Sequence, residues 1–392
     1  MKSKIKNSVL ALSVMLLLAV LWAMDISVPD SLSVRSEYDL AQGTVSYDTE
    51  AIECAAGNEK TAAKSGYTVA RVMGIPVKRV RLDIYGDIKL IPGGWIFGAK
   101  INSDGVIIVG TGDCKSGGIT VNPSKAAGLR VKDIIKSVNG KDIDTAGELT
   151  ALIENSKGTG LEIEYERDGE KRHTTLTPVA DENGVYRAGI WVKDQTAGIG
   201  TVTYVEPGNL RFGGLGHGIS EGDTGAVLPI SYGEVYGAVL TGVKKGKYGE
   251  PGEFKGFFSR NKEGILYSNT ESGVFGKLDK LPASAKEPIS IALKDEIKEG
   301  ECTVLCMPDG KTVGQYTAQI VKITDKNAKT KNFIIKITDP QLLALTGGVV
   351  QGMSGSPVIQ NGKLVGAVTH VLVNDPTRGY GIFIENMLDA AG

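Results

Sequence analysis

The hexapeptide Gly352-Met353-Ser354-Gly355-Ser356-Pro357 constrains the fold of this chain more than any other stretch. Apolar runs of strand character flank it: Val349-Val350 before, Val358-Ile359 and Leu364-Val365-Gly366-Ala367-Val368 after. Glycine is wanted where the backbone takes positive φ or lies close to another group, and the proline closes the turn. The pattern is that of two strands joined through a sharp bend with an exposed hydroxyl at its tip. With 52 glycines in 392 residues, many turns rather than long helices are expected. From about Asp181 to Gly392 the apolar runs are short and punctuated, as in Thr201–Val205, Gly225–Pro229 and Val235–Val243. Helix signals there are few, at 283–287 and 386–391. Such a region suits a double β-barrel or sandwich.

The N-terminus is different in kind. Lys2, Lys4 and Lys6 precede an uncharged run from Ser8 to Met24, which stops at Asp25. This charge order is that of an export signal, and the run without a clean small-residue cleavage site is expected to be a retained anchor helix. The body of the protein is therefore expected outside the cytoplasm. A net charge of −1 carries neither a nucleic-acid footprint nor a basic membrane-binding patch. Four cysteines, Cys54, Cys114, Cys302 and Cys306, form no disulfide framework. Cys302 and Cys306 would lie about 13 Å apart on one strand, too far to bridge. No histidine or second cysteine pair stands at metal-ligand spacing, so neither metal nor cofactor is expected.

The mainly β chain divides into a signal or anchor segment (1–27), a small β-rich segment (28–90), a third unit (91–180) and the glycine-rich β region (181–392). In the second, Val80, Leu82 and Ile84 alternate with Arg79, Arg81 and Asp83, the period of a half-buried strand. Residues 48–64 are polar and read as a loop. In the third, Ala126-Ala127-Gly128-Leu129 leads through Asp133-Ile134-Ile135 to Val138-Asn139-Gly140. Thr145 and Glu148 then form a capping box for a helix with Leu149, Leu152 and Ile153 on one face. A strand, 161–166, ends at the turn Asp168-Gly169. This order resembles a PDZ domain of the bacterial protease-associated kind. The resemblance puts the carboxylate-binding loop at Ile96-Phe97-Gly98-Ala99 and implies capture of peptide C-termini as an added strand.

The chemistry rests on Ser354. A serine hydroxyl needs a base near neutral pH, and histidine is the usual one. His173 lies on a polar strand and reads as a surface residue. His217, in Gly214-Leu215-Gly216-His217-Gly218, has room to face a cleft and precedes Ser354 by 137 residues, the order of base and nucleophile in chymotrypsin-like enzymes. His370, 16 residues past the serine, belongs on the wall of the specificity pocket or in the core. The amides of Gly352 and Ser354 are the expected oxyanion hole. For an acid that orients the base, Asp223 and Asp339 stand level on chemistry alone. Asp309 is weaker because Pro308-Asp309-Gly310 reads as an exposed turn. Met353 stands where digestive proteases place the aspartate that pairs with a freed N-terminus, so activation needs another route: contacts of the PDZ unit and cleavage near the N-terminus, within 25–37.

Together the export segment, the PDZ unit, GLGHGIS (214–220) and GGVVQGMSGSPVIQNGKLVGAVTHVLVNDPTRGYGIFIENML (347–388) resemble the SpoIVB family of sporulation stage IV serine peptidases. The likeness covers most of the chain after the anchor and is weakest in residues 28–66. It implies a catalytic triad of His217, Asp339 and Ser354, choosing Asp339 over Asp223. It further implies self-cleavage and cleavage of a membrane-embedded regulator of an intramembrane protease, in signalling that leads to pro-sigma-K processing, between the two membranes around a forespore. Two other readings compete. An α/β-hydrolase would want glycine where Ser356 stands, and a helix after the turn. A catalytically silent PDZ adaptor with a protease-like fold would have lost His217 or Ser354; both are present.

Overall fold

The computed structural model describes residues 64–220 and 227–391 continuously, with shorter pieces of 15–54. The apolar run 8–24 and the polar stretch 48–63 fall largely outside the described residues, as does Asp223. No described helix is long and apolar enough to cross a membrane.

Two closed six-stranded barrels carry the site. The first is a ring of Ile96–Thr111, Ile230–Lys244, Gly252–Thr270, Gly273–Leu278, Arg211–Gly214 and Ile190–Val205, the last paired back to the first. Its interior is filled by Phe97, Ile101, Val202, Phe212, Val235 and Leu266. The second barrel closes through Gly300–Cys306, Gly314–Ile323, Phe333–Ile337, Arg378–Phe383, Lys363–Val371 and Pro357–Gln360. Phe333, Ile335 and Ile337 alternate inward there, as the period of a strand requires. Phe333 reaches over Gly381, where an added Cβ would stand 2.1 Å from the ring.

The sheet crosses the boundaries expected at 90/91 and 180/181. Residues 96–103 pair with Ile190–Val205 and Ile230–Lys244 in the first barrel, while Val106 and Ile107 of the same strand pair with Ile135 and Ile134. Gly105, at φ 95°, marks the change, and a Cβ there would lie 2.6 Å from the Ile135 carbonyl oxygen. The PDZ unit is thus set between two neighbouring strands of a barrel. Its sheet continues through Leu161–Arg167 and Glu170–Leu176, joined by a turn with Asp168 and Gly169 both at positive φ. Helix Ala146–Asn155 has the expected capping box, and Leu149 and Ile153 pack on Val106, Ile135, Leu161 and Ile163.

N-terminal residues form a five-stranded sheet in which Ser31–Val34 runs parallel to Ile75–Ile84. Val80 and Leu82 are buried, as their alternation implied. The C-terminal helix Ile384–Ala391 packs Ile384, Met387 and Leu388 against Phe275, Leu364 and Ile382. It also receives the N-terminal sheet: Ser33 donates to Glu385 at 2.9 Å and Tyr85 to Asp389 at 3.0 Å. The segment expected as a helical turn at 283–287 forms a turn only. Cys114, Cys302 and Cys306 are buried and unbridged.

Candidate active site

The Ser354 turn lies between Val350–Gln351 and Pro357–Gln360, with Gly352 at φ 97° and Gly355 at φ 95°. Both glycines are needed, since positive φ strains other residues. A Cβ on Gly355 would stand 1.9 Å from the Thr201 carbonyl oxygen. Thr201 and Thr203, from the other barrel, hold the turn. Thr201 Oγ1 donates to the Gly352 carbonyl at 2.7 Å, Thr201 N to that of Ser354 at 2.9 Å, and Thr203 Oγ1 to that of Gly355 at 2.8 Å. The nucleophile loop of one barrel is therefore clamped to a strand of the other. Met353 is fully buried in the second barrel's core.

His217 enters the same region from the first barrel. Leu215 (φ 66°) and Gly216 (φ 68°) turn the chain in left-handed conformation just after strand Arg211–Gly214. Such backbone strain in a non-glycine residue persists only where surrounding structure imposes it. Here the Leu215 side chain fills the space over Gly200, where a Cβ would meet it at 1.9 Å. A cleft of about 890 Å³ between the barrels is lined by His217, Ser354, Gly352, Thr369 and His370, with Thr196–Ile199 along one wall.

His217 Nδ1 lies 2.8 Å from the Gly218 carbonyl oxygen. A carbonyl only accepts, so Nδ1 carries the hydrogen and Nε2 is left with its lone pair, the tautomer a general base requires. Burial pushes the His217 pKa below the ordinary 6.5, opposed by the Gly218 hydrogen bond. Its ring lies against that of His370, centroids 4.5 Å apart and tilted by 36°. Loss of solvent on its inner side, the neighbouring His217 and Lys331 together push His370 down to about 4. Ser354 Oγ donates to the Thr369 carbonyl at 2.5 Å, and among the described residues no hydrogen bond joins it to His217.

Ser354, His217, Gly352 and His370 are thus brought together, but other expected residues are not. Asp339 does not line the cleft. It caps helix Pro340–Thr346, accepting from Gln341 N at 2.9 Å, Leu342 N at 3.0 Å and Thr317 N at 3.3 Å. In the cleft His217 Nδ1 meets the Gly218 carbonyl rather than Asp339. Asp309 caps its own turn through the amides of Lys311 and Thr312, which hold its carboxyl below the usual range. His173 is exposed on strand Glu170–Leu176.

Phe97, Gly98 and Ala99 lie elsewhere than the resemblance implies. They form no carboxylate loop; they sit mid-strand in the first barrel, buried, with Phe97 edge-on to Phe212 at 5.6 Å. The groove beside the PDZ helix lies elsewhere. A cavity of about 510 Å³ separates Leu149, Thr150 and Ile153 of the helix from Ile190, Trp191 and Val192 at the start of a barrel strand. Its signal in the sequence is Arg187-Ala188-Gly189-Ile190, a glycine at φ 66° opening an apolar strand.

Two six-stranded barrels meeting at a cleft that holds a serine in a glycine turn and an imidazole of the correct tautomer define a serine peptidase carrying a PDZ domain. Residues 184–388 match the model of the SpoIVB peptidase S55 family, and the chain belongs to that family. Residues 97–177 match the PDZ domain model. A 56-residue stretch is 39% identical to part of the zinc metalloprotease RasP of Shouchella clausii, covering 14% of this chain and 13% of that one. Among solved structures, the chain is similar to the Rv3671c protease of M. tuberculosis in its active form, at 17% identity and TM-score 0.31, over 50% of this chain and 75% of that. It is also similar to the PDZ domain of the SdrC-like protein of Listeria monocytogenes, at 19% identity and TM-score 0.19, over 24% of this chain and 90% of that.

Proposed function

We propose that this chain is an exported serine endopeptidase performing limited proteolysis, on itself and on a membrane-embedded regulator of an intramembrane protease, in sporulation signalling. The observation that carries the catalytic part is the cleft shared by Ser354 and His217, one from each barrel. Ser354 Oγ leaves the Thr369 carbonyl and attacks the scissile carbonyl carbon. His217 Nε2 takes the hydroxyl proton and passes it to the leaving amine. The amides of Gly352 and Ser354 receive the oxyanion, and water then releases the acyl group by the same proton path. His370, beside the base, shapes the wall on which the substrate side chain rests. The PDZ groove supplies peptide capture. The family to which the chain belongs and the lysine-led apolar run at its start support the sporulation setting and a place at the outer face of the forespore membrane.

The test is intact mass of the secreted chain, with and without Ser354→Ala, beside labelling by a serine-directed fluorophosphonate. Self-cleavage and a label on Ser354, both lost in the variant, are expected. A wild-type chain that neither cleaves nor labels favours the silent adaptor.

A further inference from the structure

Strand Ile190–Val205, of 16 residues, passes through both functional regions. Ile190–Val192 line the PDZ groove and Thr196–Ile199 line the catalytic cleft. Among the described residues, these two stretches are laddered on one edge only, to Ile96–Thr111; the strand's other partners begin at Val202 and Tyr204. An unladdered edge offers its backbone groups to another extended chain. At the cleft end that edge meets the nucleophile turn directly, because Thr201 N donates to the Ser354 carbonyl.

We propose that a single extended substrate segment adds to this edge, its free C-terminus held in the PDZ groove and its scissile bond at Ser354. The proposal rests on the peptidase reading above and names its substrate class: a chain ending about ten residues beyond the bond that is cut. Charge sets the direction. Arg187 stands at the strand's entry, held by Glu154 at 3.2 Å and Asp181 at 3.4 Å, and is placed to exchange one of these carboxylates for a terminal one. Gly189, left-handed beside it, lines the same cavity. At the start of the same helix, away from Glu154, Asp194 accepts from Ala146 N, which disfavours a carboxylate there. A peptide anchored at Ile190 therefore runs antiparallel to the strand, away from its own C-terminus and toward Ser354. Nine residue steps, at about 3.3 Å each, separate Ile190 from Ile199, a span of about 30 Å. Register shifts at 191/192 and 193/195 loosen that measure by a residue or two.

The experiment uses the full chain and a random-sequence pool of peptides roughly thirty residues long, longer than the strand span. One half of the pool has free C-termini and the other is C-terminally amidated. Mass spectrometry should find released C-terminal fragments clustered at about eight to twelve residues, with amidation cutting that yield about tenfold. Fragments of every length, or a cluster that survives amidation, overturn the proposal. Fluorophosphonate labelling in parallel tells two failures apart. A chain that labels at Ser354 but cleaves nothing overturns the substrate class alone; a chain that does not label overturns the peptidase reading beneath it.

Discussion

Asp339 is the residue on which the acid of the site and the structure of the turn come apart. Its carboxylate accepts three backbone hydrogens and faces no imidazole. Asparagine caps a helix as well as aspartate does, whereas alanine gives up about 1 kcal/mol. Asp339→Asn should therefore keep fluorophosphonate labelling within a few-fold, and Asp339→Ala should lower the melting temperature. Loss of labelling by a hundredfold or more in the asparagine variant would restore the triad of the resemblance. His217 supports a second expectation. Because burial holds its pKa below 6.5, the neutral base persists into mild acid, and the acid limb of the labelling rate should fall below pH 6.5. The sign for stability agrees. The unfolded imidazole binds its proton near 6.5 and the folded one only at lower pH, so acidification below 6.5 costs stability, with His370 adding to the loss down to about 4.

At the scale of elements, the C-terminal helix carries a titratable latch to the N-terminal sheet. Glu385 is buried and accepts from Lys294 N at 2.7 Å and Ser33 Oγ at 2.9 Å, yet burial pushes its pKa up to about 7. A raised carboxyl favours the protonated native state, so its contribution is full below 4.5 and is lost as pH rises through about 7. Glu385→Gln keeps the shape and drops the charge. It should be more stable than wild type at pH 8 by on the order of 2 kcal/mol, with the gap closing near pH 5 in thermal unfolding. Which elements were legible follows from how local their causes are. The capping box Thr145/Glu148, the turn Asp168-Gly169 and the alternation at Val80 and Leu82 were readable because each is fixed by neighbours in sequence. Helix Pro340–Thr346 was missed although Asp339-Pro340 is an N-cap followed by proline, a favoured way to open a helix. That Ser354 and His217 share one cleft was legible from chemistry. The groove was misplaced because Phe97-Gly98-Ala99 has the composition of a carboxylate loop, and only long-range pairing with 198–200 and 235–237 makes it barrel wall.

For the whole molecule, the first barrel takes one of its strands from before the PDZ unit. Strand Ile96–Thr111 closes the first barrel, and without it Ile190–Val205 and Ile230–Lys244 each lose a full ladder. A fragment spanning 181–392 should therefore fail to fold, read as absent near-ultraviolet dichroism and no Ser354 labelling. A fragment spanning 87–392 should fold and label. Labelling by the shorter fragment at the rate of the longer would show the first barrel closes without strand Ile96–Thr111.

The insertion also orders the way the chain assembles as it emerges. The two strands that flank the PDZ unit lie roughly ninety residues apart in sequence, a separation that makes spontaneous meeting slow and its loop closure costly. A PDZ unit that condenses first pins the ends of both strands side by side and shortens that search to a hairpin-sized step. A binding module that folds first is then the template on which the catalytic barrel closes.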